Sequence, residues 1–231
     1  MTRDKKMRNI TATRKNNVWI TCIVVILVIF LLIPVYVSSE DDTTSKTLLI
    51  YYSRTGKTKL ISETLNKYIN ADLLEIHDPI DRSGTWGYMK SAYGAFRHQH
   101  APIDPEQPDL SPYSHIIIAS PIWSWNVCTP IHTLFEKNRF DGKKLVLITT
   151  ANIHIMKYES FGDDAPFIKR FLRDYLRGKR EAAVDEVVKA GGEFVGHYHF
   201  ETKEKTDEEL IAETVKCVDY VKGKLSQDTA H

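Results

Sequence analysis

The chain has 231 residues, a length suited to one globular domain with additional segments or to two small domains. Apolar residues make up 42% and charged residues 26% of the chain, which excludes a collagen-like or wholly disordered protein. The 31 Lys and Arg residues nearly balance the 30 Asp and Glu residues, so we predict no broad basic surface for nucleic acid.

Charge and cysteine are unevenly placed along the chain. Residues 1–39 carry a net charge of +5, and residues 40–231 hold 25 basic and 29 acidic residues, a net charge of −4. The three cysteines, Cys22, Cys128 and Cys217, form no C-x-x-C motif. The sequence therefore predicts neither a disulfide framework nor a zinc or iron–sulfur cluster.

The first predicted element is an apolar helix over residues 18–37, VWITCIVVILVIFLLIPVYV, 20 residues without a charge. At about 1.5 Å per residue, a helix of this length crosses a hydrocarbon core of about 30 Å. The basic leader, residues 1–17, predicts a cytoplasmic N-terminus. The domain then lies outside the cytoplasm, after a small polar tether over residues 38–46. The alternative is a cleaved signal peptide and a secreted domain.

Strand and helix patterns alternate through residues 47–226, the predicted globular domain. Five segments read as strands: Thr47–Tyr52, Asp72–Ile76, His115–Ser120, Lys144–Thr150 and Glu193–Phe200. The continuous apolar run His115–Ser120 is typical of a strand covered on both faces, and Glu193–Phe200 is more polar and suits an edge. The alternation predicts an α/β doubly wound parallel sheet that binds ligands at the carboxyl ends of its strands.

Three helical patterns predict which residues of each helix are buried. The first predicts an apolar face of Leu60, Ile61, Leu65, Tyr68 and Ile69. The second begins near Asp163 or Asp164 with Phe167, Ile168, Phe171, Leu172 and Tyr175 inward, and a separate short helix ends at Gly191-Gly192. The last opens on a Thr206–Glu209 capping box and buries Leu210, Ile211, Thr214, Val215, Val218 and Leu225.

The loop after the first strand carries hydroxyls and a glycine: Ser53, Arg54, Thr55, Gly56, Lys57 and Thr58. A nucleoside-triphosphate loop is excluded because Tyr51 stands where that motif needs its first glycine. Backbone N–H groups and hydroxyls before a helix suit a phosphate dianion. An ordinary Ser/Thr helix cap is the alternative.

A second loop follows the central strand and holds two tryptophans: Pro121, Ile122, Trp123, Ser124, Trp125 and Asn126. Large rings at this end of a parallel sheet suit a flat aromatic ligand. Trp123 and Trp125 are two residues apart, so in an extended chain they point to opposite sides, and one of them can belong to the core.

Together these motifs resemble the flavodoxin-like family of FMN-binding proteins. The resemblance rests on the order strand, S-x-T-G-x-T, helix, central strand and P-I-W-x-W, with support from Asp81–Arg97, and it runs from about Thr47 to Leu225. It implies five parallel strands in the order 2-1-3-4-5, with helices on both faces. It also implies that Ser53 to Thr58 hold the FMN phosphate, and that Pro121 to Asn126 flank the isoalloxazine ring with Thr150, Ala151 and Asn152.

Three functions follow from this resemblance. The leading expectation is a membrane-tethered electron carrier, whose partner is a redox protein or a small-molecule acceptor. The second is an FMN-dependent reductase of quinones or nitro compounds driven by NAD(P)H. The third is a flavin-free binding module, because the resemblance implies a glycine-rich loop after the fourth strand, and the loop present there, residues 149–154, contains no glycine for close approach to a ring.

The remaining histidines and Cys128 are predicted to have structural roles only. His98 with His100, and His197 with His199, lack a nearby acid or cysteine in sequence, so no metal site is predicted. Cys128 has no charged neighbour in sequence and is expected to be a small buried residue. No catalytic acid or base is assigned, since a bound flavin performs the chemistry itself.

Overall fold

A computed structural model describes residues 46–82, 84–152 and 162–226. The described strands are β1 (Thr47–Tyr51), β2 (Asp72–Glu75), β3 (His115–Trp123), β4 (Asn126–Val127), β5 (Lys144–Ala151) and β6 (Glu193–Glu201). The described helices are α1 (Lys57–Ile69), α2 (Gly84–Phe96), α3 (Thr129–Lys137), α4 (Phe167–Lys189) and α5 (Asp207–Ser226).

The strands form one sheet in the order β2-β1-β3-β5-β6, and all four pairings along this path are parallel. The five parallel strands therefore have the neighbours that the resemblance implies. The numbering differs because β4 is an additional strand, which pairs antiparallel with the end of β3. The sequence-based expectation ended the central strand at Ser120, whereas β3 continues to Trp123 before it turns back.

Helices cover both faces of the sheet, as predicted. On one face, α1 and α5 pack against β1, β3 and β5 through a core that includes Leu49, Ile117, Val146, Ile61, Leu65, Leu210 and Val221. On the other face, α2, α3 and α4 pack through a core that includes Ile50, Ile118, Leu147, Ala95, Leu134 and Val187. The segment Ile116–Ala119 is fully buried, as its continuous apolar character indicates.

The helix after β5 differs from the expectation of two helices. A single helix of 23 residues runs from Phe167 to Lys189. Phe167, Ile168 and Phe171 were expected to point inward, and their exposed fractions are 73%, 60% and 54%. The core contacts of α4 come instead from Ala183 and Val187 near its C-terminus. An apolar stripe gives the direction of a helix face but does not show how far the packing extends along it.

The last helix begins as predicted. The Glu209 amide donates to Thr206 Oγ1 (3.2 Å), and the Thr206 amide donates to Glu209 Oε2 (2.8 Å), so the capping box is confirmed. Ile211 and Val215 were expected to be buried, but each is 39% exposed. Tyr68 of α1 was expected on the apolar face of its helix and is 49% exposed. The buried stripe of α5 includes Cys217 and Val221 in place of Ile211 and Val215.

Within the residues that the structure describes, no helix is both long and apolar enough to span a bilayer. The predicted segment 18–37, its leader and most of the tether lie outside the described residues.

Candidate functional site

A cleft of about 740 Å³ opens where β1, β3 and β5 end, the edge at which parallel sheets bind ligands. Most of the predicted cofactor residues line this cleft: Arg54, Thr55, Lys57, Thr58, Pro121, Ile122, Trp123, Ser124, Trp125, Thr150, Ala151 and Asn152. The predicted residues Ser53, Gly56 and Asn126 do not line it. Thr202, which follows β6, also lines the cleft and was not predicted. The three sequence-distant loops therefore meet at one place.

The first loop leaves the start of α1 open. Gly56 is the N-cap residue, its φ is +87°, and no side chain caps the helix by a hydrogen bond. A Cβ at Gly56 would have no atom within 4 Å, so a side chain here would meet no steric obstacle. Glycine is favoured at this position because of the positive φ. The alternative of an ordinary Ser/Thr helix cap is therefore wrong. The first N–H groups of α1 have no capping side chain and can donate to another acceptor.

Two hydroxyls of this loop differ in their bonding. Ser53 Oγ is buried and has no hydrogen-bond partner among the described residues. Thr58 Oγ1 shares a hydrogen bond of 2.8 Å with Thr150 Oγ1, which joins the first and third loops. An unpartnered buried hydroxyl is costly, so the position of Ser53 fits a ligand that brings acceptor oxygens.

Two cations stand beside the cleft. Arg54 Nη1 donates to the carbonyl oxygen of Arg82 at 3.2 Å. Lys57 Nζ forms an ion pair with Asp207 Oδ1 at 2.7 Å, at the start of α5. Arg54 adds positive potential near the open end of α1, whereas Asp207 compensates the charge of Lys57 there.

The second loop is a hairpin that presents Trp125. Ser124 and Trp125 have φ values of +46° and +67° and are the two residues between β3 and β4. Two successive positive φ values define the type I′ turn, which normally holds Asn and Gly. Trp125 is half-buried and packs against Ala151, as do Ile122 and Tyr175 of α4. The turn thus fixes a large ring at the wall of the cleft.

Trp123 belongs mainly to the core. It is 7% exposed, and its ring meets Tyr52 edge-on with centroids 5.6 Å apart. The guanidinium carbon of Arg82 lies 5.2 Å from its ring centroid. The alternative that one of the two tryptophans is a core residue is therefore correct for Trp123, which also closes the floor of the cleft.

Arg82 is a residue that sequence reasoning missed. It is 8% exposed, is paired with Asp78, and donates through Nη1 to Ser91 Oγ at 3.2 Å. A buried cation over an aromatic ring fixes both groups in place. No motif marks this residue, because the ring that it covers, Trp123, is distant in sequence, at the end of β3.

Two predicted or weighed residues do not face the cleft. Asn126 is 7% exposed, and its Nδ2 donates to the carbonyl oxygen of Ala95 at the end of α2 (3.0 Å). Cys128 is fully buried, and burial raises the pKa of its thiol to about 12. The expectation of a small buried residue at Cys128 is confirmed.

The third loop is described only as far as Asn152. Ala151 is the last residue of β5 and is 5% exposed, and Asn152 follows it at the surface of the cleft. Residues 153–161, which continue the loop, lie outside the described residues.

Comparison with known proteins bears on this fold. Residues 46–160 match the family model Flavodoxin_4, described as Flavodoxin. A search of curated protein sequences finds no significant match. A solved structure of a candidate flavoprotein from Bacteroides uniformis has 15% sequence identity and a TM-score of 0.51, covering 77% of this chain and 98% of that one.

Two other similar structures are described as complexes with FMN. A flavoprotein from Lactobacillus acidophilus has 21% identity and a TM-score of 0.45, covering 67% of this chain and 93% of that one. General stress protein 14 from Treponema denticola has 13% identity and a TM-score of 0.47, covering 78% of this chain and 99% of that one.

The fold is thus that of a doubly wound α/β protein with a ligand cleft at the carboxyl edge of its sheet. With the family match, residues 46–160 of this domain are assigned to the flavodoxin-like family.

Proposed function

We propose that this chain is a membrane-tethered flavoprotein that binds FMN and transfers electrons. FMN is the cofactor that the family match supports. The observation that carries its placement is the convergence of three loops on one cleft, with the uncapped start of α1 at one end and Trp125 at the other.

The residues of the cleft fit the two ends of FMN. The open N–H groups of α1 and Thr55 suit the phosphate, and Arg54 adds charge of the right sign. The unpartnered hydroxyl of Ser53 lies in the same loop. Trp125 and Ile122 offer an apolar wall to the ring system. Trp123 supports that wall from the core and stacks little with the ligand, since it is 7% exposed.

Electron transfer is favoured over acid–base chemistry by what lines the cleft. Among its described lining residues, the titratable side chains are Arg54 and Lys57, and none is a carboxylate, imidazole or thiol. Such a site binds and orients but offers no proton donor or acceptor poised near neutral pH. Bound FMN supplies transfer of one or two electrons.

An FMN titration of the purified full chain, followed by flavin fluorescence, tests the cofactor. Trp125→Ala should weaken FMN binding about fivefold or more, from about 1 kcal/mol of lost ring contact. Thr55→Ala should weaken it through the phosphate. Trp86→Ala and Ser111→Ala are the matched controls, because Trp86 is 78% exposed on α2 and Ser111 is exposed before β3. Equal affinity in all four variants would overturn the placement.

The carrier and reductase functions separate in a turnover assay. The FMN-loaded full chain, reduced with dithionite, should pass electrons to a soluble one-electron acceptor such as ferricyanide. It should not sustain oxidation of NADH or NADPH in the presence of a quinone. Sustained oxidation of a nicotinamide cofactor would instead establish the reductase.

The tether and its orientation are tested by fusion. Residues 18–37 carry no charge and follow a basic leader, so alkaline phosphatase fused after Val37 should be active outside the cytoplasm. An inactive fusion would contradict the orientation. A fusion protein released from the membrane fraction would instead favour cleavage and secretion.

A further inference from the structure

A second cluster of chemistry-bearing residues lies away from the FMN cleft. His98 follows α2, His132 lies on α3 and Glu186 lies on α4, and one ligand atom from each lies within 4.8 Å of the others. These three residues, which we call the His–His–Glu cluster, border an open cleft of about 560 Å³. We infer that the His–His–Glu cluster binds a divalent transition metal of the zinc type. This inference does not depend on FMN.

The donor set is the one that zinc prefers in sites with an open position. Two imidazoles and one carboxylate occur as three-ligand sets that leave one coordination place for water or substrate. Zinc–ligand bonds of about 2.0–2.1 Å in tetrahedral geometry place ligand atoms about 3.4 Å apart. The distances from Glu186 oxygens are 3.0 Å to His132 Nδ1 and 3.9 Å to His98 Nδ1, which bracket that value.

The burial of the cluster suits a metal more than a solvated ion pair. The side chains of His132 and Glu186 are 18% and 20% exposed, and that of His98 is 44% exposed. The carboxylate is therefore held inside, between two helices, and the third ligand closes the site from the surface. Such a site is accessible to an ion from the cleft without any rearrangement of the sheet.

The backbone of His98 supports a ligand role. Its φ is +49°, the left-handed conformation that commonly ends a helix and that glycine adopts without strain. The His98 amide donates to the carbonyl oxygen of Ala95, and the Gln99 amide donates to that of Gly94, so the conformation is part of the helix end. A histidine in place of glycine here places an imidazole 3.9 Å from Glu186.

A neighbouring histidine holds the ring of His132 in position. The rings of His100 and His132 stack with centroids 5.4 Å apart and an angle of 13°. His100 Nδ1 in turn lies 2.6 Å from Glu136 Oε2. Partners that orient a ligand ring commonly surround metal sites.

The test is a titration of the full chain, prepared without a polyhistidine tag, with ZnCl₂ in a calorimeter. Zinc should bind, and Glu186→Gln and His132→Gln should each weaken its affinity by at least about tenfold. His77→Gln and Glu208→Gln, which change exposed side chains away from the cluster and its neighbours, are matched controls, and their zinc affinity should equal that of the parent chain. Binding of CoCl₂ should give the absorption of a four- or five-coordinate ion.

His98→Gly separates a ligand from a structural residue. Glycine suits the left-handed position, so the melting temperature without metal should not fall, whereas the rise caused by zinc should disappear. If His132→Gln does not fold, Glu186→Gln and His98→Gly decide the matter alone. Absence of zinc binding by the parent chain, or equal zinc affinity in Glu186→Gln, would overturn the inference.

Discussion

Thr58 and Thr150 share a buried hydrogen bond of 2.8 Å between their hydroxyl oxygens, across 92 positions of the chain. Thr58 lies in the first turn of α1, and Thr150 lies near the end of β5. Their exposed fractions are 2% and 4%. This bond joins the predicted phosphate loop directly to the end of β5, across the cleft.

A double-mutant cycle measures that coupling. Thr58→Val or Thr150→Val alone should lower the free energy of unfolding by about 1–3 kcal/mol, because each leaves a buried hydroxyl without its partner. The double variant should lose less than the sum of the two, since both hydroxyls are then gone. Denaturant unfolding of the full chain provides the values, and strictly additive losses would show that the bond contributes nothing.

The glycines of α2 differ in what surrounds them. A Cβ at Gly87 would overlap the carbonyl group of Arg82, whereas a Cβ at Gly94 would lie 3.4 Å from Gln99 and Thr129. Gly87→Ala should therefore lower the free energy of unfolding by about 1–3 kcal/mol and displace Arg82 from the Trp123 ring. Gly94→Ala should be neutral or stabilising by up to about 1 kcal/mol, from helix propensity. Thermal unfolding compares them, and two changes of equal sign and size would refute the close approach at Gly87.

The sequence predicts those parts of the site whose residues are close to one another both along the chain and in space. The Ser53–Thr58 loop sits between a buried strand and a helix, so its place at the sheet edge follows from the order of elements. The same holds for Pro121–Ile122 near the end of β3 and for Ala151–Asn152 where β5 ends.

The features that sequence could not supply depend on backbone angles and on long-range contacts. Ser124 and Trp125 adopt positive φ although neither is glycine, so the sequence contains no turn motif that predicts this hairpin. The hairpin places Trp123 in the core and Trp125 at the cleft. The His–His–Glu cluster joins residues from three separate elements, and His98 and His100, the pair visible in sequence, do not belong to it together. Spacing along the chain reports only local neighbours.

Two thiols should be inert in the folded chain. Cys128 and Cys217 are fully buried, and burial raises the pKa of each to about 12. Since the thiolate is the nucleophile, neither should react with a disulfide reagent at pH 8. Peptide mass mapping should find both labelled only after unfolding. Ser111→Cys, which adds an exposed thiol, is the positive control, and fast labelling of native Cys128 would contradict the prediction.

His199 gives the fold a dependence on acid. Burial lowers the pKa of His199 to about 4, and its Nδ1 lies 2.8 Å from Thr149 Oγ1. An unfolded chain binds a proton at this imidazole below about pH 6.5, whereas the folded chain keeps it neutral down to about pH 4. The free energy of unfolding should therefore fall between these two pH values, by at most about 3 kcal/mol from this residue.

The measurement for His199 is urea unfolding of the full chain from pH 7 to pH 4. His199→Asn removes the titrating group, so the free energy of unfolding should depend less steeply on pH in that variant. Ser111→Asn, which changes an exposed side chain that does not titrate in this range, should keep the slope of the parent chain. Because only a group with different proton affinity in the two states contributes to that slope, identical slopes for His199→Asn and the parent would show that His199 titrates normally in the fold.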